Sequence, residues 1–170
     1  MNKGGKNLKN ITCCFSGHRF EEELEKEKEI RPLIEKAIDN AIDNGYNVFI
    51  TGMAVGTDVW AAEIVIEKKK INKELRLVCA LPYPNFDKKR NDDEKKRYQS
   101  ILDNADEVVE ISQHYFRSCF QKRNDWMVDS SNRVIAAFAR GKGGTKNTID
   151  YAKRKGIEIH NVLMKDVENK

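Results

Sequence analysis

The chain has 170 residues, with 31 lysines and arginines, 27 aspartates and glutamates and a formal net charge of +4. This length suits one domain with a sizeable core. Acidic and basic residues are interleaved in "EEELEKEKE" (21–29) and "DKKRNDDEKKR" (87–97). Such mixed charges are typical of solvated helix faces rather than of a dedicated nucleic-acid-binding surface. No apolar run is long enough to cross a bilayer and "MNKGGKNLKN" (1–10) lacks the apolar core of a signal peptide, so we expect a cytoplasmic protein.

Apolar, strand-like runs alternate with helical patterns along the whole chain. A helical stripe of apolar residues ends at Gly45, and Pro32 is expected in its first turn, where the missing N–H does no harm. The patterns predict strands at 10–17, 46–51, 75–82, 106–112, 133–139 and 157–163. They predict helices at 30–45, 57–70, 90–104, 119–131 and 145–156, and a flexible tail at 1–9.

Strands separated by helices are typical of right-handed βαβ crossovers and of a parallel sheet covered on both faces. Continuously apolar runs such as "VFI" (48–50) and "VIAAF" (134–138) suit strands that are buried on both sides. We therefore predict a single doubly wound, Rossmann-like α/β domain over residues 10–165. Its sheet is expected to be mainly parallel, with five to six strands flanked by helices.

The four cysteines have no spacing that suits a metal or redox site. Cys13 and Cys14 are neighbours in a strand-like run, so their side chains should point to opposite faces of the sheet. Cys79 and Cys119 stand alone, and there is no CxxC pair. Thiols scattered in apolar segments indicate core packing and a reducing compartment. No metal site is predicted.

Glycines follow several of the predicted strands. In a parallel sheet, all strands end at the same edge, and ligands bind there, near the point where the strand order reverses. The segments "SGHR", "TGMAVGTD" and "ARGKGGT" therefore bring glycines to one edge of the fold. These are Gly17, Gly52, Gly56, Gly141, Gly143 and Gly144. A glycine turn before a helix presents backbone N–H groups and a partial positive charge, which suits phosphate.

The threonines after these glycines admit two interpretations. Thr57, Thr145 and Thr148 would either cap their helices or contact a ligand. An ionised Asp58 would repel phosphate, so its natural ligand partner is a ribose hydroxyl. His114 and His160 have no partners at metal-ligand spacing and are interpreted as ordinary.

Two arginines are candidates for phosphate binding, because a guanidinium offers a fixed fork of donors. Arg19 follows the first strand together with His18, and Arg123 lies on the helix after the fourth strand. Arg123 and Asp150 are also weak candidates for catalysis. The predicted nucleotide-binding residues are Gly17, His18, Arg19, Thr51, Gly52, Gly56, Thr57, Asp58, Arg123, Gly143, Gly144, Thr145 and Thr148.

With these motifs in order, the chain resembles the YpsA-like branch of the SLOG superfamily, which joins Rossmann-like proteins akin to the LOG phosphoribohydrolases and the DNA-processing protein DprA. The resemblance extends from "SGHR" through "TGMAVGTD" and "LPYP" to "RNDWMVDSS" and "KGGTKNTIDYA". It implies a Rossmann-like fold that binds a nucleotide or nucleotide derivative at the glycine turns. It also implies a bacterial protein and a protein partner in cell division or stress response.

LOG enzymes cleave the N-glycosidic bond of nucleoside monophosphates with an arginine and a glutamate in a "PGGxGTxxE" motif, as the resemblance implies. Arg123 matches that arginine. The glutamate is matched by Asp150 when the glycine pair is aligned, and by Tyr151 when Thr148 is aligned. The sequence "KGGTKNTIDY" also lacks the proline and the second Gly-Thr pair of the LOG motif, so it matches the motif of this reaction less closely.

Three functions follow from these observations. The first is a sensor or regulatory module that binds an ADP-ribose-like, NAD-like or nucleoside monophosphate ligand, with no other cofactor. The second is a LOG-like phosphoribohydrolase. The third is DprA-like binding of single-stranded DNA, for which Tyr83, Phe86 and Tyr98 are the candidate stacking residues. Nucleic acid and membrane are not expected partners under the first hypothesis, and self-association is left open.

Overall fold

The computed structural model describes residues 11–20 and 24–164, and these residues form one α/β domain. The tail predicted at 1–9 lies outside the described residues, as do positions 10 and 165 at the ends of the predicted domain. The six described strands form one sheet in the order β4-β3-β2-β1-β5-β6. All five strand pairs are parallel, so the predicted doubly wound Rossmann-like fold is confirmed.

Each predicted strand and helix is present, with shifted ends. The strands are β1 (Thr12–Gly17), β2 (Val48–Thr51), β3 (Arg76–Leu81), β4 (Glu107–Glu110), β5 (Arg133–Ala137) and β6 (Glu158–Asn161). The helices are α1 (Leu24–Asp43), α2 (Thr57–Ile71), α3 (Asp92–Asn104), α4 (Cys119–Asp129) and α5 (Gly144–Arg154). No helix in this part of the chain combines the length and the hydropathy that a membrane crossing requires.

The sheet separates two apolar cores. Cys13 packs with residues of α1, α2 and α3 on one face, whereas Cys14 packs with residues of α4 and α5 on the other. The predicted alternation of these two neighbours is therefore confirmed. Both thiols are fully buried, and burial raises the pKa of Cys14 to about 12, although the nearby Ser131 side chain opposes the shift. These thiols stay protonated and serve as packing groups.

Helix α1 starts earlier than its apolar stripe, at Leu24. The prediction that Pro32 lies in the first turn is therefore wrong, since Pro32 is inside the helix. The residues before Ile30 are mostly charged, so the apolar pattern does not show where the helix begins. Short-range ion pairs stabilise this first part of α1. Glu25 pairs with Lys28 at 3.0 Å, and the side chains further along connect α1 to its neighbours.

Four charged side chains connect α1, α2 and α3. Glu63 on α2 accepts hydrogen bonds from Arg97 of α3 at 2.6 Å and from Arg31 of α1 at 2.6 Å. Glu27 of α1 accepts from the same two arginines, at 2.6 Å and 3.0 Å. Burial alone would raise the pKa of Glu63, but the hydrogen bonds from Arg97 and Arg31 outweigh it and lower that pKa. The folded state therefore holds Glu63 ionised.

We expect this ion-pair network to give the protein an acid-sensitive stability. A carboxyl whose pKa is lowered by folding contributes stability that is fully present above its unfolded pKa, near 4.5, and is lost as the pH falls through the folded value. Glu63→Gln should lower the free energy of unfolding by about 1–2 kcal/mol at pH 7. The difference from the wild type should shrink below pH 4.5, as measured by urea unfolding across pH.

Glu67→Gln is the matched control for this prediction. Glu67 lies one turn along the same helix, its one ion-pair partner among the described residues is Lys70, and its side chain is 63% exposed. Its substitution should change the stability by less than about 0.5 kcal/mol at any pH. Equal effects of the two substitutions would contradict the role given to the network.

The strand order reverses between β1 and β5, whose C-terminal ends lie side by side, with Gly17 opposite Ala137. The chain runs outward from β1 to β4, returns through α4 and continues from β5 to β6. The two glycine-rich turns, before α2 and before α5, thus lie at one edge of the sheet, as predicted. This edge, at the topological switch point, is where doubly wound folds bind ligands.

Candidate functional site

The segment after β1 is held from both sides. The His18 N–H donates to the Ala137 carbonyl at 3.1 Å and thereby extends the β1–β5 ladder. On the same side, the Ala139 N–H donates to Nε2 of the His18 ring at 3.1 Å, and that ring packs against Phe138. The backbone that leads to Arg19 is thus fixed at the crevice between the two strands, while the Arg19 side chain is exposed.

The other side of this segment packs against the glycine turn before α2. A Cβ on Gly17 would lie 2.2 Å from the Thr57 hydroxyl, and a Cβ on Gly56 would lie 2.8 Å from the Phe20 nitrogen. Both the N–H and the hydroxyl of Thr57 donate to the His18 carbonyl, at 3.5 and 3.2 Å. These glycines permit close packing between two segments of the chain.

Two further N–H groups of the first turn, those of Met53 and Ala54, also have protein partners. The Met53 N–H donates to the Thr51 hydroxyl at 3.2 Å, and that hydroxyl donates to the Asp58 carbonyl at 2.9 Å. The Ala54 N–H donates to the Asp58 carboxylate at 3.3 Å. Where this turn lines the crevice, it presents Ala54 and the Asp58 carboxylate, which already accepts the Ala54 N–H.

Arg123 and Asp58 are opposite charges buried beside the same glycine. They are 3% and 7% exposed, and a Cβ on Gly52 would lie 2.8 Å from the Arg123 guanidinium carbon and 2.9 Å from an Asp58 oxygen. Arg123 donates to the Gly52 carbonyl and, at 2.8 Å, to the Asn124 side chain. No ion pair among the described residues joins Arg123 to Asp58, so the two charges lie close without direct contact.

Burial moves the pKa values of both groups. It lowers the pKa of Arg123 to about 10, with repulsion from Arg19 and Arg90 adding to the shift and attraction to Asp58 opposing it. Burial raises the pKa of Asp58, although Arg123 and the Ala54 N–H lower it in part. At neutral pH Arg123 is a buried cation with limited compensation, and such a group favours an anion in the space it faces.

The glycine turn before α5 is open, in contrast to the first. Gly143 is the N-cap of α5 with a φ of 117°, and no side chain caps the helix. Thr145 donates its hydroxyl to the Gly17 carbonyl at 2.9 Å, and the buried Thr148 donates to the Gly144 carbonyl at 2.8 Å. Within residues 11–20 and 24–164, the N–H groups of Gly143, Gly144 and Thr145 donate to no protein atom.

The capping interpretation of the threonines is therefore wrong. The N-cap of α2 is Gly56 and the N-cap of α5 is Gly143, neither with a side-chain cap. The hydroxyls of Thr57 and Thr145 instead connect their helices to the segment after β1. Tertiary contacts thus use, as donors, hydroxyl groups that a sequence pattern would assign to the helix itself as capping acceptors.

These elements enclose a cavity of about 190 Å³ between the ends of β1 and β5 and the start of α5. Arg19, Arg123 and Lys142 supply positive charge to its wall, and Asp58 is the carboxylate among its described lining residues. The uncapped end of α5 adds the positive end of a helix dipole. The cavity is therefore electropositive and suits an anion.

The structure brings part of the predicted site together. Of the predicted residues, those that line the cavity are Gly17, His18, Arg19, Asp58, Arg123, Gly144 and Thr145. Thr51, Gly52, Gly56, Thr57, Gly143 and Thr148 support the wall from behind or lie beside it. Lining residues that the sequence patterns did not single out include Ser16, Asn124, Phe138 and Lys142. Lys142 was detectable, because it precedes the glycine pair in the loop before α5.

Neither residue matched to the LOG glutamate lines the cavity. The Asp150 carboxylate pairs with Lys146 one turn earlier on α5, and that ion pair lowers the pKa of Asp150. The Tyr151 hydroxyl donates to Asp129 at 3.0 Å. Both side chains face away from the space in front of Arg123.

Aromatic side chains lie beside the two cavity arginines. The guanidinium carbons of Arg19 and Arg123 lie 5.7 and 5.9 Å from the ring centroid of Phe120, on the first turn of α4. The ring centroids of Phe120 and Tyr83 are 6.0 Å apart, and those of Tyr83 and Tyr115 are 5.6 Å apart. Both ring pairs are edge to face. We call these three rings, Phe120, Tyr83 and Tyr115, the aromatic ledge.

The fold and the site define a class: a Rossmann-like protein with an uncapped helix N-terminus at the topological switch point. Comparison with known proteins gives the family. The model of the family YpsA, described as the YspA SLOG family, matches residues 14–167. The chain therefore belongs to the YpsA family of SLOG proteins.

Similar proteins come from bacilli. The chain is 32% identical over 118 residues to the SPbeta prophage-derived protein YoqJ of Bacillus subtilis strain 168, covering 62% of this chain and 69% of YoqJ. It is 29% identical over 130 residues to a UPF0398 protein of Bacillus cereus strain B4264, covering 72% of this chain and 70% of that protein.

Among solved structures, the fold is similar to that of DNA processing protein A. DprA from Streptococcus pneumoniae matches 90% of this chain, with a TM-score of 0.62 and 18% sequence identity. DprA from Helicobacter pylori also matches 90% of this chain, with a TM-score of 0.61 and 18% sequence identity. The chain spans 50% of the first protein and 65% of the second. The H. pylori structure was described for its binding of single-stranded DNA. At 18% sequence identity, this structural similarity shows a shared fold and nothing beyond it.

Proposed function

We propose that this protein binds the phosphate group of a nucleotide or nucleotide derivative in the cavity between β1 and β5, and that it acts as a sensor or regulatory module. One observation carries the proposal: Arg123, 3% exposed, lines a cavity into which the uncapped N-terminus of α5 opens. A buried cation and free helix N–H groups around one space form an anion site.

The phosphate is placed by the donors on both sides of the cavity. The N–H groups of Gly144 and Thr145 approach it from α5, and Arg123 approaches it from α4. Arg19 and Lys142 are exposed and add charge at the mouth. Exposed cations raise the rate at which an anion associates, whereas the buried arginine and the helix N–H groups contribute more to retention.

The position of Asp58 supports a ribose next to the phosphate. Asp58 is 7% exposed, lines the cavity and forms no ion pair with Arg123 among the described residues. A ligand hydroxyl between the two groups donates to the carboxylate and accepts from the guanidinium, which satisfies both charges. Such a hydroxyl beside a phosphate is a feature of ribonucleotides.

The proposal is tested by titrating the purified chain with AMP, GMP, ADP-ribose, NAD and inorganic phosphate, with thermal stability and calorimetry as measurements. A ligand at a hundredfold excess over its Kd stabilises the folded state by about 2.7 kcal/mol. The absence of any shift with all five compounds would refute the proposal. Assaying free base in the same samples tests the hydrolase alternative, for which Asp58 is the carboxylate among the described lining residues.

Gly144→Ala is expected to weaken AMP binding about tenfold without loss of stability. A Cβ at this position meets only the Asn124 side chain, at 3.7 Å, so the free protein accepts the methyl group. The same methyl group occupies space that the phosphate needs next to the helix N–H groups. Calorimetric titration measures the affinity, and urea unfolding should show a stability within about 0.5 kcal/mol of the wild type.

Asn147→Ala is the control for the glycine substitution. Asn147 lies on the same turn of α5 and is exposed, but it does not line the cavity. AMP affinity should be unchanged in this variant. If Gly144→Ala binds AMP as tightly as the wild type, the phosphate does not lie at the start of α5.

Binding of single-stranded DNA is a second candidate. The fold similarity to DprA and the aromatic ledge, whose Phe120 ring lies beside the two arginines and whose Tyr115 ring is exposed, favour it. A short oligothymidylate that binds more tightly than any mononucleotide, with an affinity that falls steeply with salt, would support this function over the first.

A further inference from the structure

The cavity is too small for a whole nucleotide. Its volume of about 190 Å³ lies below the roughly 300 Å³ at which pockets for drug-sized ligands begin. Phosphate and part of a sugar fill it, so the base of a nucleotide has to lie outside, on a surface that adjoins the mouth. The question is which surface receives the base.

Helix α4 leads from the cavity to the aromatic ledge. Arg123 and Asn124 line the cavity, and Phe120 lies one turn closer to the helix start on the same face. Because α4 begins at the C-terminal edge of the sheet, this turn points outward from the cavity. The contacts of Arg19 and Arg123 with the Phe120 ring make the path from the phosphate site to the ledge continuous.

The ledge ends in an exposed but anchored ring. Tyr115 is 63% exposed and is held edge to face by Tyr83, with their planes at 79°. Tyr83 is itself held by Phe120 and Phe86. An aromatic ring that is fixed along one side and open on the other loses little conformational freedom when a second ring stacks on it.

We propose that the aromatic ledge binds the base of the ligand whose phosphate lies at α5. The proposal rests on the proposed function and specifies its ligand class: nucleotides with a planar, unpaired base, rather than sugar phosphates or free phosphate. Tyr115 and Phe120 supply the stacking surfaces, and the exposed side chain of Arg19 lies between the ledge and the phosphate. Such stacking tolerates different bases, because every base has a π face.

The test compares AMP, ribose 5-phosphate and inorganic phosphate by calorimetric titration of the full chain. The wild type should bind AMP at least about tenfold more tightly than ribose 5-phosphate. Tyr115→Ala should remove most of that difference by weakening AMP alone, while Tyr115→Phe should keep it. Because Tyr115 is largely exposed, its truncation should leave the fold and the ribose 5-phosphate affinity unchanged.

Phe116→Ala is the matched control. Phe116 is on the same loop and is 36% exposed, but its ring contacts Lys122 and, among the described residues, forms no ring pair with the ledge. Equal affinities of the wild type for AMP and ribose 5-phosphate would refute the base site and leave the phosphate site standing. Failure of all three compounds to bind would refute the proposed function instead. An equal loss for both compounds in Tyr115→Ala would show a merely structural role.

Discussion

Arg123→Met is expected to weaken AMP binding by at least about a hundredfold, because it removes a buried, charged donor from the phosphate site. Arg123 is the buried cation of the cavity, and its fork already donates to Gly52 and Asn124, which fixes its direction. Methionine fills similar space without charge. Calorimetric titration at constant salt measures the change. An affinity within threefold of the wild type would contradict the proposed site.

The same substitution should lower stability by about 3 kcal/mol, since it leaves the buried Asp58 without its nearest cation. The double variant Asp58→Asn/Arg123→Met separates the two effects. It should recover most of the lost stability in urea unfolding, because no unpaired charge stays buried. It should not recover AMP binding. Recovery of both properties would indicate that Arg123 acts only by stabilising the fold.

Gly17→Ala is expected to destabilise the protein by about 3 kcal/mol or more. The new methyl group would lie 2.2 Å from Oγ1, 2.5 Å from Cβ and 2.5 Å from Cγ2 of Thr57, so no rotamer of Thr57 relieves the clash. The segment after β1 and the start of α2 would have to separate. Thermal and urea unfolding measure this loss, which should appear without any ligand.

Thr57→Gly provides the compensating change. Alone, it should cost about 2 kcal/mol, through the lost hydrogen bond from the Thr57 hydroxyl to His18, the lost packing of a buried side chain and the entropy cost of glycine in a helix. Combined with Gly17→Ala it should restore much of the stability, because it removes the atoms that the new methyl group meets. Strictly additive losses in this double-mutant cycle would show that the two sites do not contact each other.

The glycines at this edge of the fold have two different uses. The glycines at 17, 52 and 56 let protein segments approach one another closely. In this region the N–H groups of Met53, Ala54 and Thr57 donate to protein oxygens. The glycines at 143 and 144 leave the start of α5 open. One turn builds the wall of the site, and the other supplies its donors.

The fold was predictable because its signals are local. Apolar runs that alternate with helical stripes determine the βαβ order, and the neighbours Cys13 and Cys14 pack on opposite faces, as strand geometry requires. The start of α1 was not predictable from apolar periodicity. Its first turns are charged, and side chains of α2 and α3, which lie far away in the sequence, hold Glu27 and Arg31 in place.

By itself, the sequence determined that the loops after β1, β2 and β5 meet at one edge and that Arg19 and Arg123 belong near it. Strand direction follows from short-range patterns, and parallel strands end at the same edge. Only the tertiary structure decided which glycine turn is open to a ligand. The donors before α2 have partners as distant as His18, which is 39 positions from Thr57, and no local pattern specifies such a contact. The burial of Arg123 beside Asp58 arises in the same way, since α4 and α2 come together only when the sheet forms.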